Sequence, residues 1–167
     1  MRLSSLGGLL APRRPRVDGA NSSAWSSPPL DPRLGVPVPF ACAYDDGRAS
    51  LSLLNKARVT QCALSRICGV CGGGLDRTVS FVGTGVEEGR NAFHFPPLHA
   101  GCAASLVAVV RQHAVPLPGQ DAVTAGADPV VVLAPGFEFV RPTAADPDRR
   151  PVFAPHADPA RVDRQER

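Results

Sequence analysis

A chain of 167 residues with 44% apolar residues can bury one modest core and still have length left for tails. Its net charge of +3, from 18 basic and 15 acidic residues, is too small to argue for strong polyanion binding. Aromatics make up only 5%, and the 18 prolines and 16 glycines gather towards the ends, so an ordered middle between disordered arms is expected.

No run of 18 apolar residues occurs, which argues against a membrane-spanning helix. The five cysteines (Cys42, Cys62, Cys68, Cys71 and Cys102) are an odd number, a poor fit to a disulfide framework. The mildly apolar start has only Arg2 near its beginning. Arg13, Arg14 and Arg16 follow it, the wrong side for a secretory signal. The sequence therefore reads as cytoplasmic. Lys56 is the only lysine and Ile67 the only isoleucine, a usage typical of a GC-rich, actinobacterial genome.

Residues 1–35 mix Ser, Pro, Gly and Arg without period and read as a disordered arm, with Trp25 exposed or loosely docked. Residues 36–141 are expected to form a single α+β domain. Within it, residues 39–44 read as a strand with Pro39 near its edge, and Asp45-Asp46-Gly47 as a hairpin turn. Residues 49–53 and 58–64 alternate with period two, which predicts a small antiparallel β meander leading into Cys68. Cys42 and Cys62 then read as small buried thiols, close enough for oxidation if their strands pair.

Beyond Gly72-Gly73-Gly74, residues 78–82 read as a strand. Residues 83–90 read as a polar loop whose Glu87 and Glu88 are solvated, and residues 92–95 as a partner strand ended by Pro96-Pro97. A helix is expected to open at Pro97 or Leu98 and to stop before Pro116. Cys102, Leu106, Val109 and Val110 would share one of its faces. Residues 130–133 and 137–140, split by Pro135-Gly136, read as a hairpin, and residues 142–167 as a flexible tail.

The chemistry concentrates in two short segments. Cys68-Gly69-Val70-Cys71-Gly72 is a Cys-x-x-Cys turn, which brings two thiolates within reach of one cation, and the glycine after it permits a positive φ. After 27 intervening residues, His99-Ala100-Gly101-Cys102 places His and Cys at i, i+3 on one side of a helix start. The partial positive charge of that helix end favours the Cys102 thiolate. Cys68, Cys71, His99 and Cys102 make a Cys3His set suited to tetrahedral Zn2+. With three −1 ligands and one +2 ion the formal charge is −1, and no position stays open for water, so the site reads as structural. A thioredoxin-like redox pair would start a helix directly, which three glycines after Cys71 do poorly.

This pattern resembles the treble-clef group of zinc domains: a Cys-x-x-Cys knuckle, a β-hairpin, then two ligands in the first turn of a helix. The resemblance covers about residues 66–113, with residues 78–95 as the implied hairpin, and it implies a metal but not a function. Pro96-Pro97-Leu98-His99-Ala100-Gly101-Cys102 is also similar to a segment of small actinobacterial and phage proteins. Some of those bear an OmpA or cell-envelope-biogenesis label, which nothing in this sequence supports, since it shows neither a barrel-like strand series nor a recognisable peptidoglycan-binding domain.

The function implied is a non-enzymatic structural-zinc module with a protein-interaction or regulatory role and an unidentified protein partner. Zinc would supply folding free energy to an aromatic-poor core. Nucleic-acid binding is the alternative, with Arg58, Arg66, Arg77, Arg90 and Arg111 flanking the site. An HNH-type nuclease is weaker still. It would have His94 as its only candidate general base, and the Asp/Glu-His pair and downstream Asn or His are missing. His94 reads more simply as a surface histidine. Asp45, Asp46 and Asp76 read as turn residues, Gly72-Gly73-Gly74 lacks the Gly-Lys-Ser/Thr of a phosphate loop, and no serine sits in a Gly-x-Ser-x-Gly elbow.

Overall fold

The computed structural model describes residues 27–44, 46 and 48–156, together with the backbone of 160–161. Trp25, most of the N-terminal arm, turn residues Asp45 and Gly47, and the last residues of the expected tail lie outside the described residues. Among the described residues the fold is α+β, with three α-helices, a three-stranded antiparallel sheet and a separate two-stranded one.

The expected meander is not there. Residues Phe40–Cys42 form a single 3-10 turn, Ala43 and Ala49 share one isolated antiparallel bridge, and Lys56–Ser65 is helix α1. Asn55 starts α1 by accepting hydrogen bonds from the N–H groups of Ala57 and Arg58, and Arg66 ends it in the left-handed conformation. Its buried residues are Val59, Cys62 and Ala63, an i, i+3, i+4 set that lies inside the same letters that alternate with period two.

Strand β1 (Val79–Gly83) falls where the sequence places it and is buried along its whole length. Its neighbour is not residues 92–95 but β2 (Val130–Ala134), in register Val79↔Ala134 to Gly83↔Val130. The expected loop after β1 contains helix α2 (Gly85–Arg90), opened by a capping box between Thr84 and Glu87. The chain then returns past β1, where Ser80 and Leu98 exchange two backbone hydrogen bonds of 2.8 Å each. Helix α3 (Ala100–His113) begins later than expected, with His99 as its N-cap, and ends at Ala114. Its buried face is Ala103, Leu106, Val107 and Val110, while Cys102 and Val109 are half-buried.

The expected 130–140 hairpin is also replaced. Pro135-Gly136 carries the chain from one sheet to the other, so β2 pairs with β1 and with β5 (Ala160–Arg161), whereas β3 (Phe137–Val140) pairs with β4 (Val152–Pro155). The segment read as a tail thus supplies a strand, and Phe153 within it is fully buried. Phe153 lies 5.6 Å from Phe137 and 5.1 Å from Phe139 within the second sheet, and Phe81 of β1 meets Phe137 edge-on at 6.4 Å, so aromatic rings join the two sheets. Residues at the end of the expected N-terminal arm also join the core: Asp31 is 3% exposed and accepts a 2.8 Å hydrogen bond from the Leu51 N–H. No helix among the described residues is long and apolar enough to cross a membrane.

Two polar residues expected at the surface are buried. Glu87, 2% exposed, accepts from the Thr84 N–H at 2.7 Å and the His94 N–H at 2.9 Å. His94 is 4% exposed, its Nδ1 facing the Pro151 carbonyl at 3.2 Å and its Nε2 facing Asp148 at 3.4 Å. A methyl group at Gly83 would stand 2.5 Å from Phe93 and 2.8 Å from the Glu87 carboxylate, which ties β1, α2 and the return limb into one packed unit.

Candidate metal centre

The first pair of candidate ligands, Cys68 and Cys71, sits on a tight knuckle. Ile67 and Gly74 bridge antiparallel, the Cys68 N–H donates to the Gly73 carbonyl at 2.7 Å, and the Gly72 N–H donates to the Cys68 carbonyl at 2.9 Å. Gly72 holds a φ of +67°, the left-handed turn that residue types other than glycine resist. The turn also directs the Val70 N–H towards Cys68 Sγ at 3.4 Å. Phe40 backs the knuckle, with the Arg58 guanidinium over its ring at 4.5 Å.

The second pair sits at the N-terminus of α3, with His99 as the cap and Cys102 within the first turn. Pro96 and Pro97 deliver it. Both are fully buried, and the Pro97 carbonyl accepts the Gly69 N–H at 3.0 Å. A Cβ at Gly69 would stand 3.0 Å from both Phe95 and Pro96, so the knuckle lies flat on the segment that leads to His99.

The result is one cluster: the sulfurs of Cys68, Cys71 and Cys102 and a ring nitrogen of His99 all lie within 4.8 Å of one another. His99 Nδ1 is 3.4 Å from Cys71 Sγ and 3.9 Å from Cys102 Sγ. Two donors on one tetrahedral ion, bound at about 2.0–2.3 Å, stand about 3.5–3.8 Å apart, so these separations match a shared cation. No disulfide competes, because all five cysteines are free thiols.

The outer contacts also suit a cation. His99 Nε2 lies 2.8 Å from the Gly74 carbonyl, which can only accept. The proton therefore sits on Nε2, and Nδ1 turns its lone pair into the cluster, as ligating imidazoles are commonly held. Without a cation the thiols share protons. Cys68 is pushed down to about 5 by the Cys102 thiol hydrogen-bonded to it, against burial and helped by backbone N–H groups of Cys71, His99 and Val70. The same contact raises Cys102, and burial raises Cys71. On His99 burial works against the charged ring, but the Gly74 carbonyl and the Cys68 thiolate outweigh it and raise its pKa. These residues could hold a metal ion that replaces the shared protons.

The other residues singled out from sequence lie elsewhere. Cys42 and Cys62 are fully buried and outside the cluster. Burial raises both, Cys62 to about 12, which makes them poor nucleophiles. Arg66 stacks over Phe137 at 5.1 Å, and Arg111 faces Asp128 at 3.4 Å. The sequence reading missed Glu87 as a buried carboxylate, although Thr84-x-x-Glu87 is a recognisable capping-box signal. Comparison with family models, with curated proteins and with solved structures finds no match for this chain.

Proposed function

We propose that the cluster holds one structural Zn2+ through Cys68, Cys71, His99 and Cys102, and that the protein is a non-enzymatic module acting through a protein partner in the cytoplasm. The observation that carries the reading is the closed donor set. Four ligand atoms converge, and the one histidine among them already has its tautomer fixed by Gly74. Zn2+ there neutralises thiolate charge and adds folding free energy. A four-coordinate Cys/His set favours Zn2+ over harder cations, and five free thiols suit a reducing compartment. The knuckle, the Ser80–Leu98 return and α3 follow one another as in a treble clef, with α2 occupying the middle of the implied hairpin.

A protein partner is favoured over nucleic acid because Arg58, Arg66 and Arg111 are engaged with Phe40, Phe137 and Asp128. Beside Cys71 an apolar groove of about 290 Å³, walled by Val38, Val70, Leu106 and Val109, offers an uncharged contact. The nuclease reading needs a second metal position, and the described residues contain no second cluster of donors that could form one.

The deciding experiment is elemental analysis of purified protein with chelation. One zinc per chain is expected, with Cys102→Ser lowering the content and chelation lowering the melting temperature. Metal-free protein with the same circular dichroism and melting temperature would overturn the reading.

A further inference from the structure

Away from the metal cluster, a cleft of about 440 Å³ opens between the turn ahead of α1, the 119–121 loop and the segment entering β4. We propose that this cleft is a binding site for a small organic phosphate, with the phosphate held by Lys56 and Arg149 and the apolar part lying on Leu54 and Val59, against the His94 ring.

The walls are joined before any ligand arrives. The Gly119 N–H donates to the Ser52 carbonyl at 3.1 Å, and the Arg150 guanidinium donates to the Gly119 carbonyl. A cleft of this volume, with joined walls and a mixed lining, falls in the size range of small-molecule sites.

The charges are divided in a way that favours an anion. Arg150 is spent on Asp148, through Nε at 3.0 Å and Nη2 at 2.7 Å. Among the described residues Arg149 donates to the Ala144 carbonyl at 3.2 Å and makes no close ion pair, with Asp146 attracting it only from further off. Lys56 makes no ion pair among the described residues. Two cations thus remain against one lining carboxylate, Asp121. Lys56 is also the first residue of α1, whose N-terminal end adds partial positive charge, although Asn55 already accepts from the Ala57 and Arg58 N–H groups. At the floor the buried His94 ring has both nitrogens occupied, Nδ1 at the Pro151 carbonyl and Nε2 at Asp148, so it offers the ligand a ring surface rather than a donor. With Leu54 and Val59 it completes the wall on which the organic part would lie, and an arriving ring would shift its resonances.

A doubly charged phosphate monoester suits this arrangement better than a neutral molecule or a bare anion. Its charge answers Lys56 and Arg149, and its organic part covers the apolar wall. The test uses the full-length, metal-loaded chain with phenyl phosphate as probe, and inorganic phosphate and phenol as controls. Binding is followed by NMR of the His94 imidazole, assigned with His94→Gln.

Saturable shifts are expected, with phenyl phosphate binding at least about fivefold tighter than either control. Lys56→Gln and Arg149→Gln should each weaken it by about fivefold, and Arg77→Gln, outside the cleft, should not. Circular dichroism and metal content stay unchanged in all of these variants, which separates loss of the site from loss of the fold. The proposal is overturned if phenyl phosphate gives no saturable shift up to about 10 mM, if phenol binds equally well, or if Arg77→Gln weakens binding as much as Lys56→Gln.

Discussion

Removing the Glu87 carboxylate tests whether a buried acid holds the middle of the fold together. Glu87 accepts from the buried His94 N–H at 2.9 Å and from the Thr84 N–H at 2.7 Å, so Glu87→Ala strands two backbone donors. A buried donor left without a partner costs about 1–3 kcal/mol. The Thr84 side is partly exposed and water recovers some of that loss, so the hydrogen bonds together are worth about 2–4 kcal/mol. The lost methylenes and the cavity add roughly 1 kcal/mol. The total is about a third of the stability of an ordinary domain. For a chain of this length it should lower the melting temperature by roughly 10 °C. The assay is thermal unfolding of metal-loaded wild type and variant, with urea unfolding as a second measure. Glu87→Gln should fall between them, since its amide can still accept from one N–H but presents a donor to the other. A fall of less than about 2 °C for Glu87→Ala would refute the bonding scheme.

Three further outcomes follow from the packing. Phe153→Ala should cost about 3–5 kcal/mol, because the ring is fully buried between Phe137 and Phe139; a neutral result in urea unfolding would place 152–155 outside the core. The Ser80 hydroxyl is buried and has no hydrogen-bond partner among the described residues, so Ser80→Ala should leave stability unchanged or raise it; a loss above about 1 kcal/mol would contradict that. Burial acts to raise the Asp31 carboxyl, but N–H donors from Leu51, Arg33 and Leu34 outweigh it and hold it below its ordinary value. A group depressed on folding stabilises fully above its unfolded value of about 3.9, and that stabilisation is lost as pH falls through the folded value. Asp31→Asn should therefore flatten the acid limb of a stability–pH curve below about pH 4, and an unchanged limb would remove Asp31 from the account.

The Cys/His cluster was legible because its signal is local: a Cys-x-x-Cys with glycine behind it, and His and Cys one turn apart at a helix start. Element identity was harder wherever one string of letters satisfies two periods. Residues 58–64 alternate like a strand, yet Val59, Cys62 and Ala63 also mark one helical face. Asn55 as a cap was the clue that favoured the helix. Thr84 and Glu87 gave a similar clue for α2, hidden by the glycines around them. The pairing of β1 with β2 spans about 50 residues, and nothing in either strand names the other. β4 was invisible for a related reason. Its one large core side chain, Phe153, lies among arginines and prolines, and its place is set by the distant rings of Phe137 and Phe139 and by the two backbone hydrogen bonds it exchanges with Phe93.

The cluster is built by hydrogen bonds that do not involve a cation, which separates what the chain does from what a bound metal would add. Ser80 and Leu98 fix the level of the return limb, and the Gly69 N–H on the Pro97 carbonyl sets the knuckle against it. The ligand pairs are therefore brought face to face by backbone contacts, and a metal binding there has little searching left to pay for. Gly69→Ala attacks that contact, at a residue whose carbonyl also accepts from the Ala41 N–H at 2.9 Å. The added methyl would lie 3.0 Å from Phe95 and Pro96, both buried, so the knuckle must shift by a few tenths of an ångström away from His99 and Cys102. Metal sites tolerate displacements of that order poorly, and a loss of about tenfold in zinc affinity is expected. A competition titration against a chromophoric chelator measures it, with the unfolding of both apo-proteins as the reference. If Gly69→Ala binds zinc as tightly as wild type, the docking of the knuckle on Pro96-Pro97 does not position the ligands. If apo stability falls in parallel with affinity, the contact serves the fold rather than the site.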